Sequence, residues 1–421
     1  MHVMFLHPNF PAQFGHIAAH LATEKGWTCT FVTSIDTTHL KLPYAHINYR
    51  LKPGPTPKNF YNPGTLEALL EHLAAVYRGL RSAPQIKPDL VVGHMSYGTM
   101  LSLRNLYRCP FLGYFEFLPP PFWTDELVLR PEFPPSETVR LFNATYHSLT
   151  YLHLHAVDAI YTPTHFQRQT APPELQYKMR VIHDGIDTDF VKRRPLVRPV
   201  QFRGLTIAPG TRVVTYVSRG LESARGFDIF MKVAKRIHQQ MPNVMFLIAG
   251  EERTHYGHEQ AHIGSQSFKQ YVLAQETYDP VRFHFLGRIP ADDLVTLFSL
   301  SDLHVYLTVP FVLSWSLLQA MAAECRILAS ATAPVQEVID DEVHGLLAKF
   351  SDVETLAQKA LRVLRSPDDY DYLGRAARAR VLERYEKRKC IGELVAYFEE
   401  VARGYGAGVD GTAALRSPPL G

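Results

Sequence analysis

Cysteine is scarce in this chain. The four present, Cys29, Cys109, Cys325 and Cys390, lie far apart with no CxxC pair and no regular spacing. Neither a zinc site nor a disulfide framework is indicated, and they read as small buried hydrophobes. Long apolar runs are missing as well, and nothing approaches the roughly 18 uninterrupted apolar residues of a membrane span. The opening MHVMFLHPNF is a short apolar strand broken by His7, Pro8 and Asn9. It lacks the basic and long apolar regions of a secretory signal, so a cytoplasmic protein is expected. Charge of one sign does not dominate, since 44 Lys and Arg stand against 41 Asp and Glu for a net +3. That balance gives no footing for nucleic-acid binding. Finally, no G-x-G-x-x-G follows the first strand, which excludes a dinucleotide fingerprint there.

What remains is an ordinary globular composition, with 46% hydrophobic and 20% charged residues. At 421 residues the chain exceeds one core, and two domains are expected. Short apolar runs alternate with helical periodicity. A strand at Val3–Leu6 precedes a helix carrying Phe14, Ile17, Ala18 and Leu21, and a strand follows at Cys29–Thr33. The alternation continues through Leu66–Leu80, Leu90–Val92, Phe111–Phe115 and Ala159–Thr162. It lapses in VKRRPLVRPVQFRGLTIAPG, where prolines and basic residues suggest an exposed connection. Strands then recur at Val213–Val217, Val244–Ile248, Arg282–Leu286, Leu303–Leu307 and Arg326–Ser330, with helices at Asp228–His238, Ala291–Ser299 and Leu317–Ala323.

The expected fold class is therefore α/β: two Rossmann-like, doubly wound parallel-sheet domains facing across a cleft. The predicted boundaries are 1–195 for the N-terminal domain, 196–211 for the linker and 212–380 for the C-terminal domain. A helix at 381–403 is expected to pack back on the first domain, with a disordered tail at 404–421. Pro119–Trp123 and residues 130–147 read as a long irregular insertion of the kind that carries function. Seven basic residues between Arg375 and Lys389 crowd one late segment, offset by Glu383 and Glu386. They fit a solvated helix face, or a peripheral contact with anionic lipid or an anionic acceptor.

Ligands of open α/β sheets bind at the carboxyl ends of the strands, which singles out a few side chains. In TYVSRGLESARGFDIF, Arg219 and Arg225 flank the turn from a strand into a helix. Guanidinium groups there can hold a diphosphate through charge and bidentate hydrogen bonds, or serve simply as a surface residue and a helix cap. His94 and Glu116 follow their strands in the same way. A histidine so placed can donate to a phosphate or sugar hydroxyl or take up an acceptor's proton, and a carboxylate can position a hydroxyl, while structural roles stay open for both. His7 and Asn9 follow the first strand and belong to a donor or acceptor loop.

One stretch is more specific. It contains Phe285-Leu286-Gly287, Leu318-Gln319-Ala320-Met321-Ala322, Gln336-Glu337-Val338-Ile339 and His344-Gly345-Leu346-Leu347. It resembles the donor-binding region of the retaining family 4 glycosyltransferases of GT-B fold, in which F-x-G, L-E-A-M-A, P-E-V-I and N-G-L-L follow in that order. Ser218-Arg219, Arg225-Gly226 and His183-Asp184-Gly185-Ile186-Asp187 extend the resemblance upstream. In the N-terminal half, Phe5–Phe14, Gly93-His94, Gly113–Phe117 and, later, Pro310–Ser316 are similar to the strand-end loops of a narrower branch.

The resemblance implies a retaining transfer of a sugar from a nucleoside diphosphate sugar, UDP-linked first, with GDP- and ADP-linked donors as alternatives. The acceptor is left open among a glycan, a lipid-linked glycan, a small molecule and a peptide. No cofactor and no metal are implied. Arg219 and Arg225 would hold the diphosphate, the base would lie near Leu286, Gly287, Arg288 and Ile289, and Glu337 belongs to the same pocket. The family carries two glutamates eight apart, the second on the ribose, and this chain has Phe311 and Gln319 instead. Gln319 keeps an acceptor carbonyl for the ribose, though a weaker one than a carboxylate. Sugar contacts would fall to Ser314, Ser316 or nearby backbone amides, with Trp315 either at the sugar or in the core. Asp187-Thr188-Asp189 and Asp369-Tyr370-Asp371 match the metal-holding D-x-D triplet, but one sits at the domain junction and the other before a C-terminal helix. A sugar-nucleotide epimerase and a silent GT-B partner that only binds nucleotide sugar are the rival readings.

Overall fold

The structure, a computed structural model, describes residues 1–51, 63–97, 99–118 and 129–409. The chain forms two compact units. The first comprises Met1–Pro121, Thr138–Asp184 and Cys390–Gly421, and the second Phe122–Glu137 and Gly185–Lys389.

In the first unit, seven strands lie in the order β3-β2-β1-β4-β5-β6-β7, all parallel. They are β1 (His2–Leu6), β2 (Thr28–Thr33), β3 (Ala45–Asn48), β4 (Leu90–His94), β5 (Phe111–Tyr114), β6 (Ala159–Thr162) and β7 (Met179–Val181). Side chains alternate across the sheet, so both faces need cover. Val3 and Phe5 of β1 meet Phe14, Ile17 and Leu21 of helix Gly15–Thr23 on one face, together with Ile391, Leu394 and Phe398 of helix Lys387–Val409. Met4 and Leu6 face the other way, toward Ala75, Val76 and Leu80 of helix Pro63–Arg81. The two outer strands, β3 and β7, are short and mixed in polarity, and no apolar run announced them.

The second unit repeats the plan with six parallel strands in the order β12-β11-β10-β13-β14-β15. They are β10 (Arg212–Gly220), β11 (Val244–Glu251), β12 (Phe283–Gly287), β13 (Leu303–Tyr306), β14 (Ile327–Ser330) and β15 (Leu346–Ala348). Each sheet reverses its winding direction once, between β1 and β4 and between β10 and β13, and the loops leaving those strands diverge.

Four expectations change. The 196–211 connection, expected as an exposed linker, holds partly buried structure: β8 (Val200–Phe202) and β9 (Leu205–Ile207) form an antiparallel hairpin. Arg203 and Gly204 take positive φ at its two-residue turn, as primed turns require, and Phe202 and Ile207 are buried against Val213, Leu247 and Leu297. Residues 185–195, expected in the first domain, pack in the second. The Ile186 amide donates to the Tyr385 carbonyl at 2.7 Å, and Val191 is buried beside Leu317 and Val381. The 130–147 segment is irregular only to Ser136, because Glu137–Ala156 is a helix; Pro119–Trp123 lies outside the described residues. The last helix runs to Val409, so 404–409 are not tail, and 410–421 lie outside the described residues.

The segment before Glu137 is anchored hard. Phe133 is buried among Phe268 and Tyr271. Arg130 is 1% exposed and forms a bidentate ion pair with Asp228, 2.9 Å on each arm. Removing one partner of a buried pair strands the other's charge. Arg130→Ala is expected to cost about 3–5 kcal/mol in chemical denaturation, and Arg130→Met combined with Asp228→Leu should recover most of it.

Buried imidazoles set the acid limit. His304, fully buried on β13, bonds through Nδ1 to the Thr215 hydroxyl at 2.9 Å, and burial pushes its pKa from 6.5 down to about 3. Burial also takes His183 down to about 4. Between 6.5 and the depressed value the unfolded chain binds a proton that the folded chain refuses. The stability these groups contribute is thus present above about pH 6.5 and lost as pH falls toward 3. Melting temperature followed from pH 7 to pH 4 should fall, and less steeply in His304→Gln.

Candidate functional site

At the carboxyl ends of β10, β11 and β12 lies a cavity of about 220 Å³ lined by Val217, Ser218, Arg219, Ala249, Gly250, Glu251, Gly287, Arg288, Ile289 and Leu294. Glycine makes the close approach of these strand ends possible. A Cβ on Gly220 would fall 2.1 Å from the Arg253 carbonyl oxygen, and one on Gly250 3.0 Å from that of Ser218. Arg288 reaches back from the rim, its side chain 84% exposed, to Glu251 at 3.4 Å, and Glu251 also meets His255 Nε2 at 3.2 Å.

The two predicted arginines differ in kind. Arg219 is exposed at the cavity and donates to the Tyr256 hydroxyl at 3.0 Å. Arg225 is buried: its guanidinium donates to the Thr308 hydroxyl at 2.8 Å and the Val312 carbonyl at 3.1 Å. The rings of Tyr256 and Phe311 lie beside it, each centroid 5.5 Å from the guanidinium carbon, a cation–π arrangement that holds the charge in place. Tyr306 joins Arg225 to the next element, its hydroxyl taking 3.4 Å and 3.1 Å contacts from Arg225 and the Ser314 amide.

Ser314 caps helix Trp315–Ala322, accepting from the Ser316 amide at 3.3 Å, and its hydroxyl lies 2.9 Å from that of Ser316. Trp315 is 41% exposed, so the core reading of this residue is corrected. Gln319 sits one turn on along the same face, half-buried. Glu337 closes the short helix Ala333–Gln336 and is also half-buried. The cavity lining thus includes Arg219, Gly287 and Arg288. It does not include Arg225, Leu286, Ser314, Trp315, Ser316, Gln319 or Glu337. Of these, Leu286 packs inward against the core beside Leu297.

In the first unit, strand register gathers the predicted residues. Leu6 pairs with Gly93, so His7 and His94 emerge side by side one position further on, and His94 pairs with Tyr114. The two imidazoles meet edge to face at 5.0 Å, with Tyr97 at 5.2 and 5.0 Å from them. Each Nδ1 accepts a backbone amide two residues on, Asn9 to His7 at 2.9 Å and Ser96 to His94 at 3.3 Å. His7 Nδ1 also lies 3.1 Å from the Asn9 carbonyl oxygen, and His94 Nε2 faces the Glu116 carboxylate at 3.6 Å. Burial and the neighbouring His94 push His7 down to about 3, so it stays neutral.

Glu222, Glu251, Tyr256 and Glu259 were not anticipated. Only a coarse signal existed for three of them, since EERTHYGHE, which holds Glu251, Tyr256 and Glu259, follows the β11 run at a strand's carboxyl end, where polar residues face ligands. The basic cluster is largely consumed internally. Arg378 donates to the carbonyls of Val191 and Ala322, Arg380 to Val338 and Asp340, and Lys387 and Arg388 pair with Asp187 and Asp189. These partners account for the first D-x-D triplet, and Asp371 of the second binds Arg326 at 2.6 Å. Among the described residues no helix is long and apolar enough to cross a membrane.

Two family models match the chain, "Glycosyl transferase family 4 group" over residues 25–191 and "Glycosyl transferases group 1" over residues 197–380. The chain belongs to the family 4 glycosyltransferases, with a GT-B fold. Among solved structures this family 4 chain is similar to sucrose-phosphate synthase from Thermosynechococcus elongatus. The TM-score is 0.73 and the identity 18%, over 96% of this chain and 100% of that one. It is also similar to HepE of Anabaena in complex with UDP and glucose, with TM-score 0.69 and 16% identity over 95% of this chain and 100% of that one. A curated relative, N-acetyl-alpha-D-glucosaminyl L-malate synthase of Bacillus anthracis, is 26% identical over 122 residues. That match spans 29% of this chain and 32% of the relative's length. Phe285-Leu286-Gly287 ends β12 and Leu318–Ala322 lies in helix Trp315–Ala322, with Phe311 packed on Arg225.

The close strand-end packing gives a direct test. Gly220→Ala forces a methyl group against backbone and is expected to cost about 1–3 kcal/mol in thermal unfolding, whereas Ala249→Gly on the adjacent strand, opposite Val217, should cost less.

Proposed function

We propose that the chain transfers a sugar from a nucleoside diphosphate sugar to an acceptor with retention at the anomeric carbon. The observation that carries this reading is the pair Arg219 and Arg225 at the carboxyl ends of the second sheet, one lining the cavity and the other buried and rigid. Two fixed guanidinium groups stabilise the charge that grows on a departing diphosphate, and they do so without a metal. The base lies against the backbone from Leu286 to Ile289, and Gln319 accepts from the ribose. UDP is the first candidate because HepE was solved with UDP and glucose. With Phe311 and Gln319 in place of the family's glutamates, front-face departure and attack is the simplest route to retention. His94, its Nε2 3.6 Å from Glu116, acts as a hydrogen-bond donor to sugar or phosphate, and the half-exposed Glu116 orients the acceptor hydroxyl.

Titration with UDP, GDP and ADP is expected to show UDP binding most tightly. Arg219→Ala and Arg225→Ala should each weaken it about tenfold or more, as loss of a charged hydrogen bond does. Tight binding that survives both changes removes the diphosphate assignment. Phe311 favours a second reading, because a ring packed on Arg225 offers a donor sugar no acceptor atom. On that reading the chain binds nucleotide sugar without turnover. Slow hydrolysis of UDP-sugars in the absence of acceptor would exclude it.

A further inference from the structure

The turn that carries Arg225 and the loop that follows β11 grip each other through two fully buried carboxylates. One oxygen of Glu222 accepts three successive backbone amides, from His255 at 2.7 Å, Tyr256 at 2.6 Å and Gly257 at 3.1 Å. Converging amides of this kind form a nest that binds an anion, and here a side chain of the protein fills it. Glu259 completes the grip from the loop side. It accepts from the Ser223 amide at 3.2 Å, the Ser223 hydroxyl at 2.5 Å and the Thr254 hydroxyl at 2.8 Å. Backbone and side chain are both engaged, so the loop cannot slide along the turn without stripping these buried carboxylates of the amide and hydroxyl donors they have.

What the grip fixes is Tyr256. Its hydroxyl accepts from Arg219 at 3.0 Å, while its ring lies 5.5 Å from the Arg225 guanidinium and 4.9 Å from the Phe311 ring. One side chain therefore touches both arginines, its ring lying 5.9 Å from the Arg219 guanidinium as well as beside Arg225, while its hydroxyl bonds to Arg219 alone. Arg219, exposed on a long flexible stem, gains most from being held, because an unrestrained arginine loses rotamer freedom whenever it closes on a ligand.

We propose that Tyr256, held by Glu222, is a positioning residue that sets Arg219 and Arg225 for the diphosphate. This rests on the diphosphate reading given above. Tyr256→Phe removes the hydrogen bond to Arg219 and keeps the ring beside both arginines, whereas Tyr256→Leu removes bond and ring together. Glu222→Gln keeps the shape and discharges the nest.

The test is a double-mutant cycle read by calorimetric titration with UDP, or with GDP or ADP if either binds more tightly. Tyr256→Phe is expected to bind about fivefold more weakly with an unchanged melting temperature, and Tyr256→Leu and Glu222→Gln more weakly still. Arg219→Ala combined with Tyr256→Phe should bind no more weakly than Arg219→Ala alone, since the tyrosine hydroxyl acts through that arginine. Additive losses, or an unchanged affinity in Tyr256→Phe while Arg219→Ala is impaired, would overturn the proposal and leave the diphosphate reading intact. If Arg219→Ala and Arg225→Ala both bind the nucleotide as the parent does, the diphosphate reading falls and the role of Tyr256 falls with it.

Discussion

A parallel sheet buried on both faces delivers every one of its carboxyl-end loops to the same edge, and the other features of this chain follow from that constraint. Connections must return across the sheet as helices, so the residues free to vary collect where strands end. Each unit then reverses its winding once, between β1 and β4 and between β10 and β13, and the loops part at those points. His7 and His94 stand at the first reversal, one position beyond a registered pair, and Ser218 and Arg219 stand at the second. No catalytic requirement is needed to bring them there. The fold does it, and the identity of the side chains decides what chemistry results.

Within that frame, electrostatics is handled by enclosure rather than by excess. A net charge of +3 leaves little long-range field, yet single charges are buried and surrounded: Arg225 by oxygen acceptors and two rings, Glu222 by three amides, Arg130 by Asp228. Such charges cannot relax when a ligand arrives, which is what preorganisation means in physical terms. Cationic side chains that looked available in the late helices are spent on helix-end carbonyls and aspartates of their own unit.

Most of the architecture was legible in the sequence because buried strands are nearly uniform in polarity. VMFL, LVV, VVTYV and VMFLI have few other interpretations once helical periods separate them. The edge strands β3 and β7 escaped because half-exposed strands of three or four residues carry no such run. The hairpin of β8 and β9 was hidden by prolines and arginines on its flanks, although QFRGLTI alternates around a turn pair. At the site, Arg219 and Arg225 were readable from their place after a strand. The pairing of Tyr256 with Arg219 and with Glu222 was not, because those partners lie 30 or more residues away and no local pattern encodes a contact made by folding.

The chain passes between the two units at residues 121/122, 137/138, 184/185 and 389/390. The second unit is therefore not a contiguous stretch of sequence, and part of what seals it, Arg130 and Phe133, is encoded inside the first. A fragment cut at 185–389 would leave Asp228 buried without its guanidinium and uncover the apolar ground around Phe268 and Tyr271. In evolutionary terms the halves are not freely exchangeable parts. A recombination that swaps the C-terminal half between relatives must carry the short segment around Arg130 with it, or inherit a partner that fits Asp228 equally well.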